Sequence, residues 1–260
     1  MPRPAPKVAH MTKDRTIWSL TGKDALTFLQ GLVSNDLRPL DGAPGIVWAA
    51  LLTPQGKYLA DFFVVRRAEG ELLVDIAAPL AADTLRRLTM YRLRADVQIA
   101  PSDLTLTRGL GALPEGALPD PRDPALGWRL YAPGPLDVPA VDWDAIRVAN
   151  LIPESGIELV PDETYILEAG FERLHGVDFR KGCYVGQEVT ARMKHKTELR
   201  KGLVRVRIEG AAPVGSDIIG TDGKPAGTLF TQSAGFAIAH LRHDRAQGEL
   251  RASQARLWVD

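Results

Sequence analysis

The segment Phe179–Glu188 concentrates the residue types of this chain that could do chemistry. It reads Phe-Arg-Lys-Gly-Cys-Tyr-Val-Gly-Gln-Glu and contains Cys183, the only cysteine. A glycine stands on each side of this cysteine, and glycine permits positive φ and close approach of the backbone to a ligand. A predicted helix begins at Gln187-Glu188 and continues over Val189–Lys194. The unpaired amides at its start could therefore bind an anion or a carbonyl.

Two interpretations of Cys183 follow from its neighbours. Arg180, Lys181 and the start of a helix favour the thiolate, which is the nucleophilic and metal-binding form. The alternative is a buried, inert cysteine in a tight turn. A single cysteine excludes a disulfide within the chain and a multi-cysteine zinc or iron–sulfur site from this chain alone.

Charge is distributed unevenly around this segment. Residues 151–178 carry seven acids and one base, a formal charge of −6, whereas residues 179–207 carry nine bases and two acids, a formal charge of +7. The two could compensate each other as solvated faces. Alternatively the basic segment binds an anion, such as a phosphate, a carboxylated ligand or an RNA backbone. No aromatic-interleaved RNA motif accompanies it, so direct nucleic-acid binding is the weaker alternative.

The eight residues Lys181–Glu188 resemble the signature of the YgfZ-type folate-binding proteins. Those proteins assist the maturation or repair of iron–sulfur enzymes and are structural relatives of the aminomethyltransferase (T-protein) of the glycine cleavage system. The resemblance extends over most of the chain. Further matching segments are Gly22–Ala25 with Phe28–Gln30, Thr53–Gly56 with Asp61-Phe62, Arg147–Ala149 with Ile152-Pro153 and Gly156, and Leu167–Ala169.

This resemblance implies an α+β, aminomethyltransferase-like folate-binding fold. Antiparallel sheets and helices would surround a central cleft, and a C-terminal β-barrel would follow. It also implies that tetrahydrofolate or a derivative binds in the cleft. Iron–sulfur client enzymes or assembly proteins are the implied protein partners.

The resemblance assigns roles to individual residues. It implies a functional thiol at Cys183 and a pterin-contacting or proton-orienting acid at Asp61, for which a strand-edge or capping carboxylate is the alternative. Lys181 and Arg192 are predicted to pair with the glutamate-tail carboxylates of folate, unless they are simply solvent-exposed. Glu188 is predicted to cap the signature helix or to contact the ligand. The other predicted folate-binding positions are Gly182, Tyr184 (with packing as its alternative), Gly186 and Gln187.

The sequence leaves open whether the chain is an enzyme. The T-protein has two adjacent acids where this chain has Asp61-Phe62, and an arginine where this chain has Ile166. The segment Gly127–Tyr131 also lacks the acid that contacts the pterin there. These departures favour a folate-binding accessory protein over the alternative, a folate-dependent aminomethyltransferase or one-carbon transferase. A third hypothesis, a binding module for an RNA-modifying or radical enzyme, is disfavoured by the placement of Cys183.

Composition sets outer limits on the function. The chain has 260 residues, 45% of them hydrophobic, and a formal net charge of zero, which excludes a mainly disordered or a histone-like protein. No stretch is long and apolar enough for a spanning helix, and residues 1–10 lack the apolar core of a secretory signal. We therefore expect a cytoplasmic protein without a membrane partner. The five histidines lack the spacing of a metal site and are interpreted as surface residues.

Periodicity and turn residues divide the chain into four predicted parts. A flexible arm covers 1–12, and the first part of an α+β folate-binding domain covers 13–110. A second α+β part with the signature covers 111–198, and a β-barrel covers 199–260. The main elements predicted before the barrel are strands at Arg15–Leu20, Val47–Leu52, Tyr58–Arg66, Glu71–Ile76 and Ala95–Ile99 and helices at Gly22–Val33, Pro79–Tyr91 and Trp143–Leu151.

Overall fold

The computed structural model describes residues 15–195 and 198–260, so the predicted flexible arm over 1–12 lies outside the described residues. The chain divides into two units, each discontinuous in sequence. The predicted boundaries near 110 and 198 stay predictions. The first unit comprises the described residues through Leu51, Ala60–Val141 and His175–Tyr184, and the second comprises Leu52–Leu59, Asp142–Leu174 and Val185–Asp260.

The first unit is built on a five-stranded sheet with the order β2-β3-β4-β1-β5. The apolar runs that predicted buried strands do form its centre, and β3 and β4 pair antiparallel, with Phe63 opposite Asp75. The predicted strand Ala95–Ile99 begins later than expected, at Gln98. The strands are β1 Arg15–Thr21, β2 Gly45–Leu52, β3 Tyr58–Arg66, β4 Leu72–Ala77 and β5 Gln98–Pro101.

Two helices and a second, three-stranded sheet complete this unit. The helices are α1, Ala25–Gln30, and α2, Ala78–Arg92, which has Pro79 in its first turn, where a missing N–H costs nothing. Helix α1 is shorter than predicted at both ends. Gly22 has φ +103°, outside the helical region, and the carbonyls of Gln30 and Val33 accept hydrogen bonds from the buried ammonium of Lys181 instead of from backbone amides of a continued helix. The small sheet has the order β6-β8-β7, with β6 Thr105–Gly109, β7 Leu118–Pro119 and β8 Trp128–Ala132.

The second unit contains α3, Trp143–Asn150, α4, Gln187–His195, and a closed six-stranded barrel with the order β10-β11-β12-β9-β14-β13. Alternating apolar side chains such as Val206 and Ile208 fill the barrel core. The α+β class, the antiparallel sheets and the C-terminal β-barrel are thereby confirmed. The barrel strands are β9 Lys201–Glu209, β10 Asp217–Ile219, β11 Pro225–Ser233, β12 Phe236–Arg242, β13 Leu250–Ala252 and β14 Ala255–Val259.

Of the helices in the described part of the chain, none is long and apolar enough to cross a membrane.

A buried carboxylate joins the two sheets of the first unit. Asp75 of β4 accepts hydrogen bonds from Arg15 Nε at 2.7 Å, Arg129 Nη2 at 2.5 Å and the Tyr131 hydroxyl at 2.8 Å. Arg129 also reaches Asp120 at 3.2 Å. Burial by itself raises the pKa of Asp75, but the charges of Arg15 and Arg129 outweigh it and lower the pKa to about 2. The carboxylate is therefore ionised wherever the chain is folded near neutral pH.

A pair of glycines holds α4 against the turn between β2 and β3. Gly186 has φ +83°, and a Cβ there would lie 2.5 Å from the Thr53 carbonyl oxygen. Gly56 has φ +75°, and a Cβ there would lie 2.8 Å from Val189 Cβ. Both contacts lie within the second unit, so neither glycine can be exchanged without displacing the other segment.

Removing the charge of Asp75 should destabilise the chain strongly. Asp75→Asn removes the buried negative charge that Arg15 and Arg129 share, which costs about 3–5 kcal/mol of unfolding free energy, measured by urea denaturation. Because the folded-state pKa lies below the unfolded value of about 3.9, this stability is present above about pH 4 and is lost toward pH 2. Asp83→Asn, in an exposed pair with Arg86, is the control and should cost under about 1 kcal/mol. Equal effects would contradict a central role of Asp75.

The contact between α4 and the turn predicts that two glycine-to-alanine substitutions lower the free energy of unfolding by different amounts. Gly182→Ala also introduces a side chain at positive φ, +97°, but into open space, so only the backbone cost of about 1–2 kcal/mol applies. Gly186→Ala adds a clash with backbone, which costs about 1–3 kcal/mol more. Urea denaturation of both variants measures the difference. Equal losses would show that the turn moves aside freely.

Candidate functional site

The signature segment is divided between the two units after Tyr184. The residues just before the signature are hydrogen-bonded within the first unit. The Asp178 amide donates to the Ser34 carbonyl at 3.0 Å, and the Ser34 hydroxyl donates to the Gly176 carbonyl at 2.7 Å. The Asp178 carboxylate in turn accepts from the Arg180 amide at 2.6 Å. The loop that leads to Cys183 is therefore anchored by backbone groups.

Lys181 is buried, with 8% of its surface exposed. Its Nζ donates to the carbonyls of Gln30 and Val33, each at 2.5 Å, and lies 4.9 Å from the centre of the Tyr184 ring. A cation at the end of a helix is favourable because the free carbonyls there carry partial negative charge. Burial lowers the pKa of Lys181 to about 8, against the opposing charges of Asp36 and Asp178. Solvent exposure, the alternative considered for this lysine, is wrong.

Cys183 is exposed, so the alternative of a buried, inert cysteine is wrong. Gly182 before it has positive φ, and nothing lies within 4 Å of a Cβ built there. The loop thus turns sharply between the buried lysine and the exposed thiol. Helix α4 begins at Gln187, four residues further along, as the sequence predicts.

Asp61 lies in β3 between β2 and β4, so it is not a strand-edge residue. It is 3% exposed, and its Oδ2 accepts a hydrogen bond from Trp48 Nε1 at 2.7 Å. The Arg122 guanidinium lies 5.6 Å from the centre of the Trp48 ring and 4.9 Å from that of Phe63. Carboxylate, indole, phenyl ring and guanidinium thus form one polar and aromatic cluster in the first unit.

The remaining predicted positions lie in the second unit. Gly186 packs against the turn between β2 and β3, and Gln187 is the first residue of α4. Glu188 and Arg192 form an exposed ion pair at 2.6 Å, one helical turn apart. Such a pair is worth only about 0.3–0.5 kcal/mol, so a stronger anion can displace Glu188 from the arginine.

Much of the basic segment is paired with acids. Lys194 contacts Glu172 of the acidic segment, and Arg205 contacts the side chain of Asp260. Arg207 forms a further pair with Glu209 at 3.1 Å. Of these three pairs, the one between Lys194 and Glu172 joins the basic segment to the acidic segment, whereas Asp260 and Glu209 lie outside the acidic segment. The two interpretations of the charge pattern therefore stay open. Because Lys181 is buried, Arg192 is the most suitable anion-binding side chain among the predicted positions.

Sequence reasoning missed two groups of polar residues. The segment around Arg129 has no acid of its own, but Asp75 and Asp120 approach it from other parts of the first unit. The available signal was Asp75 inside the apolar run Leu72–Ala77, since a buried carboxylate needs a cationic partner. His240, predicted to be a surface residue, is instead half-buried, with Nε2 3.1 Å from Glu168 Oε2.

No group of three or more His, Cys, Asp or Glu side chains among residues 15–195 and 198–260 is arranged to hold a metal ion.

The comparisons with known proteins match these features. The C-terminal β-barrel domain of CAF17 matches residues 200–260. The iron–sulfur cluster assembly factor IBA57 homologue, mitochondrial, of Mycosarcoma maydis is 32% identical over 76% of this chain, which spans 55% of that relative's length. The mitochondrial iron–sulfur cluster assembly factor IBA57 of Mus musculus is 29% identical over 91% of this chain and 78% of the relative.

The fold has a solved counterpart. The glycine cleavage system aminomethyltransferase T from Bartonella henselae superposes with a TM-score of 0.71 at 15% identity, covering 94% of this chain and 82% of that chain. At this identity the likeness concerns the fold, and it confirms the aminomethyltransferase-like architecture.

The predicted cytoplasmic location is contradicted, since these IBA57 relatives are mitochondrial proteins. The physical reason is that a compartment address is read by receptors from a separate segment, so a folded core carries no trace of it. The chain is thus similar in sequence to iron–sulfur cluster assembly factors and has an aminomethyltransferase-like fold with a C-terminal β-barrel.

Proposed function

We propose that this chain is a tetrahydrofolate-binding accessory protein for the assembly or repair of iron–sulfur enzymes, with Cys183 as its functional thiol. The names of its relatives support the iron–sulfur role, and the signature and the fold support folate binding. The observation that carries the proposal is the exposed Cys183 next to the buried Lys181.

The thiol acts together with ligands from elsewhere. One cysteine supplies one thiolate, whereas an ordinary cluster takes about four. An iron–sulfur cluster is therefore cargo that Cys183 touches in a complex, and the remaining ligands come from an assembly protein or a client enzyme. The anchored loop keeps the thiol in a defined position for such a partner.

The cluster around Asp61 fits a pterin by its chemistry. A carboxylate accepts hydrogen bonds from pterin N–H groups, which supports Asp61 as the pterin-binding acid. Asp61 is the proposed pterin-binding residue of the first unit. In the second unit, Arg192 is the residue for which the sequence resemblance implies an anionic tail as ligand. Lys181 does not fit the tail, because its ammonium already binds two backbone carbonyls.

Aminomethyl transfer is the weaker alternative. Phe62, which replaces the second acid of the T-protein, and Ile166, which replaces its arginine, are both buried. Neither position can supply a charged group to a reacting amine. Formation of methylene-tetrahydrofolate at an enzymatic rate with glycine cleavage partners would reverse this ranking.

Folate binding predicts opposite effects for the two members of the exposed ion pair. Tetrahydrofolate polyglutamates should bind more tightly than the monoglutamate. Salt should reduce this gap in affinity because exposed charges are screened beyond about 8–10 Å. Arg192→Ala should shrink this gap, and Glu188→Ala should widen it because it frees the arginine. Asp61→Asn should weaken both ligands by about tenfold or more. Calorimetric titration measures all three, and the absence of saturable heat from the unsubstituted chain would refute folate binding.

The exposed thiol predicts a separation of function from folding. Cys183→Ala removes little packed volume, so the urea midpoint should not change and folate affinity should change by less than about tenfold, or 1.4 kcal/mol. The activity of iron–sulfur client enzymes in cells that depend on this protein should fall. Complementation by Cys183→Ala is compared with that by Asp83→Asn, an exposed substitution outside the signature segment that keeps the thiol. Full complementation by Cys183→Ala would show that the thiol is dispensable.

A further inference from the structure

The C-terminal end of α2 exposes apolar and cationic side chains side by side. Met90 is 69% exposed, Tyr91 40% and Leu93 88%. Residues 86–95 contain four arginines and no acid. On the opposite side of the helix Ala81, Thr84 and Leu88 are buried, so the exposed end is not the packing face of α2. The α2 tip is defined here as residues 86–95.

Leu93 is the most unusual residue of the α2 tip. It follows the last helical residue with φ +46° and ψ −104°, in a region that favours glycine. A leucine there carries a backbone cost and also exposes an apolar side chain to water. Glycine would remove both costs, so the folding of this chain gives no reason for leucine at this position.

We infer that the α2 tip binds the surface of an anionic lipid membrane. Leu93, Met90 and Tyr91 would enter the boundary between headgroups and acyl chains, and Arg94 and its neighbours would contact lipid phosphates. Arg86 pairs with Asp83, and Arg87, Arg92 and Arg94 leave the tip with a net positive charge that is complementary to an anionic bilayer. This proposal is independent of folate and thiol chemistry. It departs from the expectation of no membrane partner, which was based on the lack of spanning segments.

Other occupants fit the α2 tip less well. A second copy in a two-fold arrangement would bring the same arginines together, and like charges repel. A specific protein partner requires anchors held in fixed geometry. The α2 tip instead presents long side chains at a helix end, which a fluid lipid surface accommodates without a matching pocket.

The test is co-sedimentation of the full chain with sucrose-loaded vesicles. Binding to vesicles of equal parts phosphatidylcholine and phosphatidylserine should exceed binding to pure phosphatidylcholine by about tenfold or more and should fall as salt rises. Arg94→Glu and Leu93→Asp should each lower the partition coefficient by about tenfold. Leu93→Gly should lower it several-fold while leaving the urea midpoint unchanged or higher.

Matched controls use exposed residues elsewhere. Leu113→Asp changes an exposed leucine of the same unit, and Arg251→Glu reverses an exposed arginine of the barrel; both should keep vesicle binding. The inference is overturned if the unsubstituted chain does not bind anionic vesicles. It is also overturned if the controls lose as much binding as the tip variants, or if Leu93→Gly is less stable and still binds.

Discussion

The ionised carboxylate of Asp75 is the interaction on which the first unit depends. It lies in the middle of a five-stranded sheet, where a charge is tolerated only with its partners in place. Arg15 comes from β1, and Arg129 and Tyr131 come from β8 of the other sheet. A hydrophobic contact would tolerate many relative positions of the two sheets, whereas this hydrogen-bonded group defines one. Asp61, Trp48 and Phe63 lie on neighbouring strands of the same sheet, so their positions depend on the packing that Asp75 fixes.

The signature segment combines rigidity on one side with access on the other. Lys181 is buried and binds the carbonyls at the end of α1, while Cys183, two residues later, is exposed. Gly182 makes this possible, since its positive φ turns the chain through a conformation that other residues adopt at a cost. The chemistry of the segment is thus divided: the lysine and the glycines shape the loop, and the thiol is what the loop presents.

The charges of the segment illustrate why a formal sum is a poor guide to a binding surface. Residues 179–207 carry +7, but Lys181 is buried and Lys194, Arg205 and Arg207 pair with acids. An anion can compete only where the existing pair is exposed and weak. Arg192 with Glu188 meets that condition, and Arg192 is also one of the positions for which the signature predicts a contact with the folate tail.

The sequence by itself determined the element types and the family resemblance. Apolar runs and turn residues predicted β3 at Tyr58–Arg66 without error and the start of α3 at Trp143, since these signals are local. The end of α1, the pairing of Asp75 with Arg129 and the fate of Lys181 were decided only by the tertiary structure. Each joins residues more than fifty positions apart, and no local spacing records which distant carbonyl or cation will meet a given side chain. The exposure of Cys183 belongs to the same class, because burial is a property of what packs above a residue and not of the residue itself.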